Sequence, residues 1–113
     1  LAVDAPGMPK EEGITDLGKG VAIKVLDGAS ISDYQLVNIF EEVAQKKNIP
    51  NQREILPRGG TDAAGIQMAR EGVRVLTLSI PCRYIHTVTE TLDQRDLRAC
   101  VDLLLAVLQQ NLF

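Results

Sequence analysis

Apolar positions change their spacing several times along this chain, and each change marks a predicted element. Leu1-Ala2-Val3 reads as the tail of a strand. Residues 5–20 break the pattern with Pro6, Pro9, Gly7, Gly13, Gly18 and Gly20, and read as an irregular loop. Val21-Ala22-Ile23-Lys24-Val25-Leu26 forms the next strand, closed by the turn signal Asp27-Gly28. The period then becomes helical. Ser32 can cap a helix, Gln35 stands three residues on in the capping-box position, and Leu36, Val37, Phe40, Val43 and Ala44 recur along one face. Asn48 and Pro50 stop it.

Arg53 to Leu56 reads as a short strand. Thr61 or Asp62 starts a second helix, which Gly72 ends as a left-handed cap. Val73 to Ile80 is a continuous β-rich run, the pattern of a strand buried on both faces. Asp93 caps a last helix whose Leu97, Val101, Leu104, Leu105 and Leu108 are expected to face the core. Strands and helices alternate, so the fold class is α/β: a layered sheet with helices on its faces. There is no internal repeat, and no second domain is visible within residues 1–113.

Composition narrows the function classes. The chain has 113 residues, 45% hydrophobic and 24% charged, with a net charge of −3. This is ordinary globular usage for one domain. Lys and Arg are scattered without a basic cluster, which argues against nucleic acid as a partner. No stretch approaches the roughly 20 apolar residues of a membrane span. Two cysteines, Cys82 and Cys100, lack CxxC spacing and read as reduced thiols in a cytoplasmic protein. The chain starts without Met and inside an apolar run, so it is expected to be part of a longer protein.

The candidate chemistry is sparse. His86 is the single histidine. It ends the stretch Ile80-Pro81-Cys82-Arg83-Tyr84-Ile85-His86, where a strand opens into a loop. Chemistry in open α/β sheets gathers at the carboxyl ends of strands. One imidazole cannot hold a metal alone, because a catalytic zinc takes about three protein ligands. The alternative is a structural or simply exposed histidine.

Arg58-Gly59-Gly60-Thr61-Asp62-Ala63 lies between a strand and a helix. Two glycines allow close backbone approach to a ligand, and a helix start favours an anion or a polarised carbonyl. A tight turn before a helix is the plain alternative. It is neither a phosphate loop nor GxGxxG. Asp4 could sit at a strand end, or simply open a turn. Leu17-Gly18-Lys19-Gly20 could present Lys19 to phosphate, or be a bend. Glu41, Glu42 and Glu54 read as solvated surface. Arg83 could meet a carboxylate in substrate or in its own loop.

In combination, Asp4-x-Pro6-Gly7, Leu17-Gly18-Lys19-Gly20, Gly59-Gly60-Thr61-Asp62-Ala63, Ile80-Pro81-x-Arg83-Tyr84-x-His86, Glu90 and Asp96 resemble the C-terminal part of the co-catalytic metallo-aminopeptidases. The branch is that of the deblocking or glutamyl, tetrahedral aminopeptidases, some of whose members carry an endoglucanase label. The resemblance implies hydrolysis of N-terminal residues from peptides by two divalent metal ions, zinc or cobalt, that share a bridging water, with a glutamate as general base. It places a terminal metal ligand on His86, and the substrate backbone beside Gly59, Gly60, Thr61 and Asp62. It also implies a homo-oligomer, of the twelve-subunit tetrahedral kind.

The family's His-x-Asp and Glu-Glu-x-Gly motifs and its inserted dimerisation domain have no match in residues 1–113. No catalytic base is therefore expected among them, and the base and most ligands would lie upstream. The continuous match from Asp-x-Pro-Gly onward favours Asp4 as the family's second, non-ligand aspartate, with the ligand aspartate before Leu1; a shortened loop would instead make Asp4 that ligand. Thr87 stands where the family usually has serine. Residues 1–113 would then be the C-terminal portion of a single catalytic domain, inactive in isolation. The competing readings are a glycan hydrolase and a non-catalytic assembly or binding module on the same fold. A glycan hydrolase needs two carboxylates about 5–9.5 Å apart, and no persuasive pair is visible. Aromatic residues are only 4%.

Overall fold

A computed structural model describes residues 2–3, as backbone, and residues 15–110. Asp4 and the rest of the Asp-x-Pro-Gly match lie outside the described residues. The elements are β1 (Ala2–Val3), β2 (Val21–Leu26), α1 (Tyr34–Lys46), β3 (Asn51–Ile55), α2 (Ala63–Gln67), β4 (Leu78–Ser79), β5 (Pro81–Arg83), β6 (Thr91–Leu92) and α3 (Gln94–Leu108). They form two three-stranded sheets, β3-β2-β4 and β1-β5-β6.

In the first sheet β2 is central. It runs parallel to β3, with Val21 opposite Asn51 and Lys24 opposite Glu54. On its other edge it pairs antiparallel with β4, Ala22 opposite Ser79. Helix α1 makes the crossover that a parallel pair requires. In the second sheet β1 runs parallel to β5, with Val3 opposite Cys82, and β6 returns antiparallel on the far side.

Strand alternation decides what each face of β2 meets. Val21 and Ile23 point to one face, where Val37, Phe40, Val43 and Ala44 of α1 and Ala99, Leu103, Ala106 and Val107 of α3 complete the apolar core. Ala22 and Lys24 point to the other face. There Lys24 and Glu54 are both fully buried. Glu54 is therefore not the solvated surface carboxylate that the sequence suggests. Its strand turns Arg53 outward and Glu54 inward, against the ammonium directly across the ladder. Glu41 and Glu42 do reach solvent, and Glu41 takes a bidentate contact from Arg53.

Several boundaries move for identifiable reasons. Asp33, not Ser32, caps α1: its carboxylate accepts the amides of Gln35 and Leu36 at 3.0 and 3.1 Å. The Ser32 amide is already bound to the Val25 carbonyl. Helix α2 is only 5 residues long and ends well before Gly72. Gly72 is left-handed as expected, but it closes turns that follow the helix. The run Val73–Ile80 is not one buried strand. Only Leu78–Ser79 joins a sheet, and Val73 is 44% exposed. Ahead of β4 the segment is held by single bonds, from the Asp33 amide to the Val75 carbonyl and from the Lys24 amide to the Thr77 carbonyl.

Asp93 caps α3 as expected, accepting the Arg95 amide at 2.8 Å. The face of α3 is wrong in the sequence reading, however. Asp96, Ala99, Leu103, Ala106 and Val107 are buried, whereas Leu97, Val101, Leu104, Leu105 and Leu108 are exposed.

Candidate functional site

His86 stands in the turn of the β5–β6 hairpin. The chain leaves β5 at Arg83, and both Tyr84 and His86 take left-handed backbone angles, with φ of 55° and 61°. Such angles are uncommon for residues with a Cβ and need local support. The support is visible. The Glu90 carboxylate accepts the His86 amide at 2.6 Å. The Thr87 hydroxyl and amide both donate to the Tyr84 carbonyl. The imidazole itself is exposed, and it makes no hydrogen bond among the described residues. Because β1 and β5 are parallel and in register, the chain leaves Val3 at the same sheet end from which β5 opens toward His86.

A metal needs more donors than this. Among the described residues no group of three or more His, Cys, Asp or Glu side chains could hold a metal ion. An exposed, uncommitted imidazole fits a terminal ligand, but the remaining donors are not among the described residues. Cys82 and Cys100 are free thiols whose ionisation burial pushes up, which leaves them as ordinary packed side chains.

The glycine loop lies at the carboxyl end of β3, on the other sheet. Gly59 has a φ of 95°, a conformation that suits glycine. A Cβ at Gly60 would stand 2.9 Å from the Ala29 Cβ. Here the close approach that the glycine pair permits is to the chain's own 27–30 turn. The Gly28 amide donates to the Gly59 carbonyl at 2.8 Å, and the Thr61 hydroxyl donates to Asp27 at 3.1 Å. Asp62 is exposed and occupies the N-cap position of α2, but its side chain makes no capping hydrogen bond. At five residues, α2 is too short to count as a helix-terminus anion site. Thr61, Asp62, Ala63 and Ile66 line one side of a groove whose other side is Val75, Leu76 and Thr77. Among the described residues, no hydrogen bond joins the glycine loop to His86.

Asp27 was visible in the sequence only as a turn signal. In the structure it sits beside a buried charge cluster, with Lys24 Nζ 3.6 Å from Asp27 and 3.5 Å from Glu54. Burial works against the charged form of Asp27, but the amides of Ala29 and Ser30 and the hydroxyls of Thr61 and Ser30 outweigh it and hold the carboxyl below its usual range. The available sequence signal was Lys24 itself, a charge inside an apolar strand that has to find a partner.

Leu17-Gly18-Lys19-Gly20 forms a bend. Asp96 of α3 accepts the Gly18 and Gly20 amides, both at 2.8 Å, while Lys19 points to solvent.

The model of the M42 glutamyl aminopeptidase family matches residues 1–103. The chain belongs to the M42 glutamyl aminopeptidase family. It is 41% identical over 105 residues to the lysyl aminopeptidase of Pyrococcus furiosus, covering 90% of this chain and 30% of that protein. Among solved structures, aminopeptidase APDkam598 from the archaeon Desulfurococcus kamchatkensis superposes with a TM-score of 0.90 at 38% identity, covering 97% of this chain and 32% of the other. The TET1 peptidase of Pyrococcus horikoshii, which can assemble into a tetrahedron or a large octahedral shell, gives 0.78 at 32% identity over 97% of this chain and 32% of its own. The M42 segment seen here thus spans about a third of the length of these relatives.

Proposed function

We propose that residues 1–113 form the C-terminal portion of the catalytic domain of a metal-dependent aminopeptidase that removes N-terminal residues from peptides. In this reading His86 is a terminal ligand to one of two divalent ions, zinc or cobalt. Gly59, Gly60, Thr61 and Asp62 form part of the wall along which the peptide backbone lies. When bound, such ions polarise a scissile carbonyl and activate a water. The general base and the other donors come from elsewhere in the polypeptide. The whole protein would be a cytoplasmic homo-oligomer of the TET type, in keeping with family membership, its two free thiols and the assembly of the Pyrococcus horikoshii relative. No helix among the described residues is long and apolar enough to cross a membrane.

The observation that carries the reading is the state of His86. A buried structural histidine would spend its ring nitrogens on neighbours. Here backbone strain at two positions and a Glu90 clamp on the amide shape the turn, while the ring stays exposed and uncommitted. The test is metal content and peptide hydrolysis of the full-length protein carrying His86→Ala. Loss of one ion per subunit is expected, with activity lower by roughly a hundredfold or more, since a ligand rather than its supporting partner is removed. Full metal occupancy in the variant would refute the ligand assignment.

A further inference from the structure

Asp27 is bound in two directions. Its Oδ1 accepts the amides of Ala29 and Ser30 at 2.9 and 2.8 Å, and the Ser30 hydroxyl at 3.1 Å, which fixes its own turn. Its Oδ2 reaches across to a residue 34 positions away and accepts the Thr61 hydroxyl at 3.1 Å. That second oxygen is also the one facing the Lys24 ammonium at 3.6 Å. Beside this link the two backbones touch. The Gly28 amide is bonded to the Gly59 carbonyl at 2.8 Å, and a Cβ at Gly28 would lie 2.7 Å from that same carbonyl oxygen. With no space between the turn and the loop, displacement of one must displace the other.

We propose that Asp27, seated beside the buried Lys24 ammonium, is the positioning residue of the Gly59–Thr61 loop, with the Thr61 hydroxyl as the latch. Thr61 then serves the substrate wall through its backbone, and its side chain is committed to the scaffold. The Lys24 ammonium lies 3.6 Å from Asp27 and 3.5 Å from Glu54, its neighbour across the strand ladder. The kinetic part of the test rests on the substrate-wall reading above; the exchange part does not.

The experiment measures amide hydrogen exchange and peptide-hydrolysis kinetics on the full-length protein with Thr61→Val, Thr61→Ser and Asp27→Ala. The Leu103 amide, in the core, is the internal reference. In Thr61→Val the Gly28 amide is expected to exchange roughly tenfold faster or more, as befits loss of a hydrogen bond to a charged group. Thr61→Ser, which keeps the hydroxyl, retains the protection. KM is expected to rise in Thr61→Val more than kcat falls. Unchanged Gly28 protection in both Thr61→Val and Asp27→Ala would overturn the proposal, as would equal loss in the Ser and Val variants. Faster exchange with an unaltered KM would leave the latch standing and remove the loop from the substrate wall.

Discussion

Single carboxylates organise this chain to an extent out of proportion to their number, and Asp96 is the clearest case. It sits fully buried in the first turn of α3 and binds the Gly18 and Gly20 amides, one with each oxygen. That pair of bonds ties the turn entering β2 to a helix nearly eighty residues later. Asp96→Ala would leave both amides without a partner, at a cost of about 3 kcal/mol. Asp96→Asn, which keeps one acceptor oxygen, should cost less. Urea unfolding of the variants measures this, and a loss under about 1 kcal/mol for the alanine would show that the turn is held by other contacts. The sequence marked Asp96 only through a resemblance, because nothing local distinguishes a carboxylate that binds a distant turn from one that faces water. Glu54 failed to be legible for the same reason: its partner Lys24 lies across the ladder, thirty residues away.

At the level of elements, legibility followed contrast. Helix α1 has a polar face and an apolar face, so Leu36, Val37, Phe40, Val43 and Ala44 could be picked out, and all of these but the half-buried Leu36 are buried. Helix α3 is apolar almost all round between Leu103 and Leu108, so the sequence offers more than one stripe, and the expected one is exposed. The buried side includes Ala99 and Ala106, whose small size lets α3 pack on α1 and β2. Two adjacent leucines separate the alternatives. Leu103 is fully buried and Leu104 is 45% exposed. Leu103→Ala should cost about 3 kcal/mol, and Leu104→Ala under about 1 kcal/mol, in the same unfolding assay. Comparable losses would mean that both faces of the helix are covered. The run Val73–Ile80 shows the complementary failure. A β-rich composition reports extended backbone, but pairing depends on which edge is free, and along its second edge β2 pairs with Leu78 and Ser79, with one further bond to Thr77.

For the whole molecule, α3 presents an exposed apolar stripe. Leu97, Val101, Leu104, Leu105 and Leu108 recur at spacings of three and four, so they align on one side of a helix of 15 residues. Contiguous apolar surface of this kind is unusual on a monomer and drives association. The M42 relatives are about three times as long as this chain, so they contain far more polypeptide with which to cover such a face. The 113-residue polypeptide produced alone is therefore expected to self-associate as its concentration is raised. Sedimentation velocity should show the average mass climbing above that of one chain, and the substitutions Val101→Glu and Leu108→Glu together should return it to a monomer, because one charged side chain within the stripe and one at its end cannot be desolvated cheaply. Val101 is 45% and Leu108 65% exposed in the folded chain, so the substitutions leave Leu103 and the rest of the core untouched. A wild-type chain that stays monomeric at every concentration would show that the stripe does not drive association, and association that survives both glutamates would place the sticky surface elsewhere.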